Sequence, residues 1–306
     1  MGELEALLRA IGRPQVGHHR VRRFGPIRQA LRRTVPYLLM FAATYLAFSL
    51  ASVREPGRMV RIVDAALSTR GLVLLFAAIF AVVFWRRRAL RRLTVANNEG
   101  AILCAGGRRD EAVALFESLA RRGRRHLPYH ALFVGNLGVA KVIRGELAEG
   151  KALLGEALRS RWLTRANPSA AGGAFAAWLS RTYALENDLR VARSWREVAS
   201  ALLPPRRRGA LLIADATILL RAGHAGAAAD AISAGWMGAE GELPGHERRA
   251  LRALHAFALA QAGRDAETAS ALAGLWPPIP NQLDYLGASW PELRGFLAAW
   301  KLAQAA

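Results

Sequence analysis

The fold is decided by a stretch that runs from residue 136 to residue 150, NLGVAKVIRGELAEG. A glycine turn at Gly145 lies between two segments with small residues, Gly138 in the first and Gly150 in the second. Glycine interrupts a helical pattern most readily at such a turn. The stretch therefore predicts two helices joined as a hairpin.

The same signal recurs along the chain and gives the sequence its period. From residue 93 the pattern is helix, short turn, helix, with almost no strand signal. The turns are predicted at Gly107, Gly145, Asn187, Gly223 and Gly263, with separations of 38, 42, 36 and 40 residues. A period in this range is typical of stacked helical hairpins, because no single hairpin can bury its apolar face alone. Residues 93–278 are therefore predicted to be a repeat array.

Three of these units share a pattern of small and large residues. The residues that carry it are Gly100, Leu103 and Ala112 in the first unit, Leu137 and Gly138 in the second, and Tyr183, Ala192, Ala199 and Pro204 in the third. With these residues the chain resembles the tetratricopeptide repeat (TPR) family over 93–204, and loosely over 205–278. Leu119 departs from the pattern, because the family has a small residue at that position.

The resemblance implies an all-α solenoid of about five helical hairpins whose first helices line a concave groove for a protein partner. The residues of this chain at the family's partner-contact positions are Asn98, Asn136, Trp178 and Arg181. Internal capping or hydrogen bonding between helices remains the alternative for both asparagines. The family's clamp for a C-terminal carboxylate is not expected, because Ala174 and Trp178 occupy its basic positions.

A final helix is predicted to end the array. Ser289 and Glu292 have the spacing of a capping box, with a proline between them, so a helix is expected over Trp290–Ala303. Its apolar stripe predicts packing on the last repeat. Residues 279–306 are accordingly interpreted as a C-terminal capping helix, which a repeat array needs at its end.

Two uncharged stretches precede the repeats, residues 35–53 and 71–85. They predict a two-helix transmembrane hairpin over 35–85, with spans at 35–53 and about 68–85. The residues that flank these spans are Arg32, Arg33, Trp85, Arg86, Arg87 and Arg88. For the second stretch, a buried core helix is the alternative.

The distribution of arginine predicts a topology. Residues 1–92 carry 17 Arg against 4 acidic residues, which is most of the chain's net charge of +20. Counted by the positive-inside rule, the basic segments 1–34 and 86–92 should both be cytoplasmic. The prediction is a multi-pass protein of a bacterial inner membrane with a cytoplasmic repeat domain, in contact with the bilayer and its anionic lipids. A nucleic-acid partner is not expected.

No catalytic motif is present in the sequence, so neither an enzyme nor a cofactor is predicted. His126 and His130 have the spacing of a helical metal pair, but Pro128 lies between them and is predicted to break a shared helix. Cys104 cannot form an intrachain disulfide, because it has no partner cysteine. It is interpreted as a small buried residue and not as a nucleophile.

Together these patterns favour a membrane-anchored scaffold that recruits a protein partner through a concave helical groove. The alternative is an accessory protein of a membrane-associated biosynthetic pathway. It rests on a resemblance in layout to two-span bacterial TPR proteins linked to haem biosynthesis, and no shared site residues support it.

Overall fold

The computed structural model describes residues 69–124, 127–160, 163–164, 171–204 and 208–303. These residues are helical or lie in turns, and none of them is in a β-strand. The described part of the chain divides into two units, one that ends at residue 92 and one that begins at residue 93. The described part of the chain therefore confirms the predicted all-α class.

The helices have the following bounds: α1 Thr69–Ala105, α2 Arg109–Gly123, α3 Leu127–Arg144, α4 Leu147–Leu158, α5 Ala171–Leu185, α6 Leu189–Leu202, α7 Gly209–Arg221, α8 Ala225–Glu240, α9 Gly245–Gln261, α10 Asp265–Ala273 and α11 Pro291–Ala303. A short 3-10 helix, Asp284–Gly287, lies between α10 and α11.

In the unit that ends at residue 92, the described part is the beginning of α1. Its side chains at Phe76, Phe80 and Trp85 are exposed, and the rings of Phe80 and Phe84 stack with their centroids 6.4 Å apart. These apolar side chains thus lie on the surface of the helix in the described structure.

The predicted membrane localisation is wrong on the evidence of the described residues. Among them, no helix combines the length and the apolar character needed to cross a bilayer. The uncharged run of residues 71–85 extends for about 22 Å as a helix, against a hydrocarbon core of about 30 Å. The other predicted span, 35–53, lies outside the described residues, as does the basic segment 1–34 with Arg32 and Arg33.

In the described residues, the unit that begins at residue 93 contains five helical hairpins, in agreement with the predicted number of about five. The end of α1 pairs with α2, and α3 with α4, α5 with α6, α7 with α8, and α9 with α10. All five predicted turn residues have a positive φ: Gly107 (75°), Gly145 (97°), Asn187 (66°), Gly223 (80°) and Gly263 (71°). The period read from the sequence therefore corresponds to the real turns.

Each turn has the same pair of backbone hydrogen bonds. The N–H of Gly145 donates to the carbonyl of Val142 at 2.9 Å, and the N–H of Glu146 donates to that of Lys141 at 2.9 Å. The other four turns repeat both bonds at the corresponding residues. This is the Schellman arrangement, which requires a left-handed residue and satisfies the last carbonyls of the first helix.

Small residues occur in phase with the turns and let the paired helices approach closely. Seven residues before each turn residue stand Gly100, Gly138, Ser180, Ala216 and Ala256, and five residues after it stand Ala112, Gly150, Ala192, Ala228 and Thr268; all of them are buried. A Cβ at Gly150 would lie 2.9 Å from the carbonyl oxygen of Gly138. The helices α3 and α4 therefore meet backbone to backbone at this point.

The final helix α11 begins at Pro291, one residue after the predicted start, and ends at Ala303 as predicted. Leu293, Leu297 and Trp300 are buried, and Phe296 contacts Phe257 of α9 with ring centroids 5.3 Å apart. The hydroxyl of Ser289, the first residue of the predicted capping box, donates to the carbonyl of Leu185 at 3.0 Å.

Candidate peptide-binding face

The first helices of the hairpins lie side by side and form one continuous surface. This surface, here called the first-helix face, consists of residues 93–105 of α1 together with α3, α5, α7 and α9. Along it α3 contacts α5, α5 contacts α7, and α7 contacts α9. The predicted partner residues Asn98, Asn136, Trp178 and Arg181 all belong to these helices.

The stretch between α10 and α11, which includes the 3-10 helix, lies on the first-helix face. Residues 274–290 are here called the closing segment. The side-chain amide of Gln282 donates to the carbonyl of Ala105 at 2.5 Å, a contact between residues 177 positions apart. Leu275 and Leu286 are fully buried. The first-helix face is thus already occupied by part of the same chain.

Main-chain carbonyls at the start of the closing segment accept hydrogen bonds from two arginines of α9. Arg249 of α9 donates to the carbonyls of Leu275 at 2.6 Å and of Pro277 at 2.9 Å. Arg252 donates to the carbonyl of Gly274 at 2.5 Å. These bonds depend on the peptide backbone and not on the side chains of the segment.

Arg181 lies at the centre of the face and is completely enclosed. Its guanidinium stacks on the ring of Trp178, 4.4 Å from the centroid, and on the ring of Tyr285, 4.9 Å away. One of its amino groups donates to the hydroxyl of Tyr285. Arg181 and Trp178, two of the predicted partner residues, are therefore in contact with each other, and the closing segment covers them.

The charge of Arg181 is only partly balanced. Burial lowers the pKa of Arg181 to about 10, while the nearby Glu247 carboxylate acts to raise it. Within the described part of the chain, the Nε atom of Arg181 is buried without a hydrogen-bond partner. A guanidinium in this state favours an anionic acceptor, since charge-assisted bonds to a carboxylate are stronger than bonds to a neutral hydroxyl.

His246 lies beside this cluster at the start of α9. Its ring stacks on Trp178 with centroids 6.5 Å apart. Burial lowers the pKa of His246, and the positive charge of Arg181 lowers it further, against an opposing effect of Glu247. His246 is therefore held in its neutral form near neutral pH.

The two asparagines of the prediction differ in their surroundings. The Asn136 side chain donates to the Oδ1 atom of Asn97 at 2.6 Å, whereas Asn98 is exposed. The bond between α1 and α3 matches the alternative of hydrogen bonding between helices. Asn97 was missed because a position-by-position match to the family pattern selects its neighbour.

The closing segment was also missed, although the sequence contained a signal for it. Its 17 residues include Pro277, Pro278 and Pro280. Loops longer than about 12–15 residues are uncommon in compact domains and usually have a function. Length and proline content could have marked the segment, but not the surface that it covers.

The cysteine and the histidine pair considered in the sequence analysis do not form a reactive site in the described residues. Cys104 is buried, and burial raises the pKa of its thiol to about 12, so it is not a reactive nucleophile. His130 contacts the carbonyl of Ala120 through Nδ1 at 3.0 Å, while the His126 side chain lies outside the described residues. No cluster of three metal-ligating side chains occurs in the described parts of the chain.

Comparison with known proteins yields little beyond this geometry. No protein-family model matches the chain, and no curated protein matches it. Two solved structures that are similar come from a Podosopora anserina kinesin light chain protein with nearly identical TPR-like repeats. They are 19% and 20% identical, cover 66% and 64% of this chain and 97% and 95% of their own, and each has a TM-score of 0.40. This TM-score is too low to assign a family or a function.

Proposed function

We propose that this protein is a non-enzymatic, protein-binding helical-repeat scaffold whose first-helix face receives an extended peptide of a partner. The observation that carries the proposal is that the face already holds a stretch of this chain and donates hydrogen bonds to its backbone carbonyls. Arg249 and Arg252 reach the carbonyls of residues 274, 275 and 277 with their side chains. Since every peptide has these carbonyls, the same donors suit a partner's backbone.

The proposal gives separate roles to the first hairpin and to the centre of the face. Asn98 is exposed on the first hairpin and is available for contact with a peptide backbone. Asn136, held by Asn97, fixes the position of α3 against α1. Trp178 and Arg181 form the deep part of the face, where a partner's side chain would be enclosed.

Cross-linking from the face tests the proposal. A photoreactive amino acid replaces Asn98 in one variant and Glu197 in the control, which is exposed on the second helix of the third hairpin. In extracts of the native host, we expect a cross-link from position 98 to one short region of one protein, and none from position 197. A synthetic peptide of that region should then bind the purified protein.

The contrary result is equally clear. If the cross-links from position 98 fall on many unrelated proteins, or the synthetic peptide does not bind, the first-helix face is not a peptide-binding surface. Substitution of Asn98 by alanine supplies a second measurement. It should weaken the binding of the synthetic peptide by the contribution of one hydrogen bond, ~1 kcal/mol.

A further inference from the structure

We infer that the closing segment is a built-in competitor for the first-helix face, and that the partner displaces it with an acidic peptide that presents a carboxylate to Arg181. This inference rests on the proposed function, and it adds the chemistry of the ligand and a control over its access. Three observations support it: the charge of the face, the incomplete pairing of buried polar groups, and the way in which Tyr285 is held.

The face is basic, whereas the closing segment supplies little negative charge. Four arginines of the face contact the segment, namely Arg181, Arg221, Arg249 and Arg252, and Arg109 of α2 lies beside the face. The single acidic residue of the segment is Asp284, which pairs with Lys301 at 2.8 Å and with Arg109 at 3.8 Å. A peptide rich in Asp or Glu complements this surface better than the segment does.

Buried polar groups are incompletely paired at the contact between segment and face. In the described structure, Arg181 Nε, Arg249 Nε and Gln282 Oε1 are buried without a hydrogen-bond partner. Such groups disfavour the state in which the closing segment covers the first-helix face, because they lose their hydrogen bonds to water without gaining a new bond. A ligand carboxylate at Arg181 would remove the largest of these defects, since it can accept two bonds from one guanidinium.

Tyr285 is the residue that holds the middle of the closing segment against the first-helix face. It is 2% exposed, its ring packs on Trp178 with centroids 6.1 Å apart, and its hydroxyl accepts a bond from Arg181. The ends of the segment are anchored separately, by the buried Leu275 and by Trp290 against Phe257. Under this inference, residues 279–287 leave the face, which exposes the buried Leu283 and Leu286, while α11 stays on α9.

Removal of the Tyr285 contacts should increase the affinity of the protein for an acidic peptide. When the binding-competent state is a minor one, the apparent dissociation constant falls in proportion to its population. The probe is a fluorescein-labelled decaglutamate peptide, with decaglutamine as its uncharged counterpart, and the readout is fluorescence anisotropy with the full chain.

We expect weak decaglutamate binding by the wild-type protein and at least tenfold tighter binding by Tyr285→Ala. Tyr285→Phe keeps the ring and loses only the hydroxyl, so it should gain several-fold even if the alanine variant is poorly folded. Tyr183→Phe, the same change on α5 away from the segment, should bind like wild type. Adding Arg181→Met to Tyr285→Phe should abolish the gain, and decaglutamine should bind none of the variants.

Hydrogen exchange shows whether the segment moves. On addition of decaglutamate to the wild-type protein, the amides of residues 283–287 should exchange at least tenfold faster, while those of α5 do not. Equal affinity of all variants for decaglutamate, binding without faster exchange, or no binding to any variant would overturn the inference. The cross-link from position 98 is independent of Tyr285, so its success with any of these results would leave the proposed function standing.

Discussion

The turns of the hairpins repeat one backbone arrangement five times, whereas the closing segment contacts the same hairpins without repeating any contact. Each turn combines a left-handed residue with two fixed hydrogen bonds. The segment instead uses Gln282 at one end of the array and Ser289 at the third hairpin. Elements stabilised by neighbours in sequence are thus regular, and the element that connects distant hairpins is not.

Truncation of one buried leucine in each region should give the largest effects and the sharpest contrast. Leu154 of the second hairpin and Leu286 of the closing segment are both fully buried. Leu154→Ala should lower the free energy of unfolding by about 2–5 kcal/mol. Leu286→Ala should cost less, because a segment that opens before the array unfolds limits the effect of its contacts. Urea denaturation of both variants measures the difference; equal losses would make the segment part of the hairpin core.

Two glycines of α4 give effects of opposite sign. A Cβ at Gly150 would lie 2.9 Å from the carbonyl oxygen of Gly138, whereas at Gly155 it would meet no atom within 4 Å. Gly150→Ala should destabilise the protein by about 1–3 kcal/mol through overpacking. Gly155→Ala should stabilise it by up to ~1 kcal/mol, because alanine favours the helix. Thermal unfolding of both variants is the measurement, and a stable Gly150→Ala protein would contradict the backbone contact.

Asn187 is the one non-glycine residue among the five turns, and it tests whether the shared backbone arrangement limits stability. Its φ is 66°. Asn187→Ala should cost about 1 kcal/mol, because the Cβ of alanine disfavours the left-handed region and alanine lacks the polar side chain that helps asparagine there. Asn187→Gly should leave the melting temperature unchanged or slightly higher. The reverse order of the two variants would show that the Asn187 side chain matters more than its backbone.

The smallest effect is expected from pH, and it reports on the centre of the face. Because the pKa of His246 is lowered in the folded state, the unfolded chain binds its proton more readily. Stability should therefore be complete above about pH 6.5 and fall as the pH decreases below it. His246→Gln should make the dependence shallower, with a remainder from His255, whose pKa burial also lowers. An unchanged slope in chemical denaturation at pH 5–7 would contradict this.

The same contrast explains what the sequence could predict. Gly107, Gly145, Asn187, Gly223 and Gly263 were found because a turn with small residues near it recurs every 36 to 42 residues. Arg181 and Trp178 were correctly placed on the first helix of the third hairpin, but their burial under Tyr285 was not foreseen. A contact between residues 105 and 282 leaves no period in the sequence, because it depends on how four intervening hairpins stack.

The bond between Gln282 and Ala105 also has a consequence for cooperativity. In an open row of repeats, each unit interacts only with its neighbours, so the terminal units can fray independently. Here the closing segment is bonded to the first hairpin through Gln282 and Ala105. Fraying at either end therefore has to break this contact as well. We therefore expect a single sharp unfolding transition for residues 93–303. We also expect the contact between Gln282 and Ala105 to form slowly during folding, because closing so long a loop is entropically unfavourable.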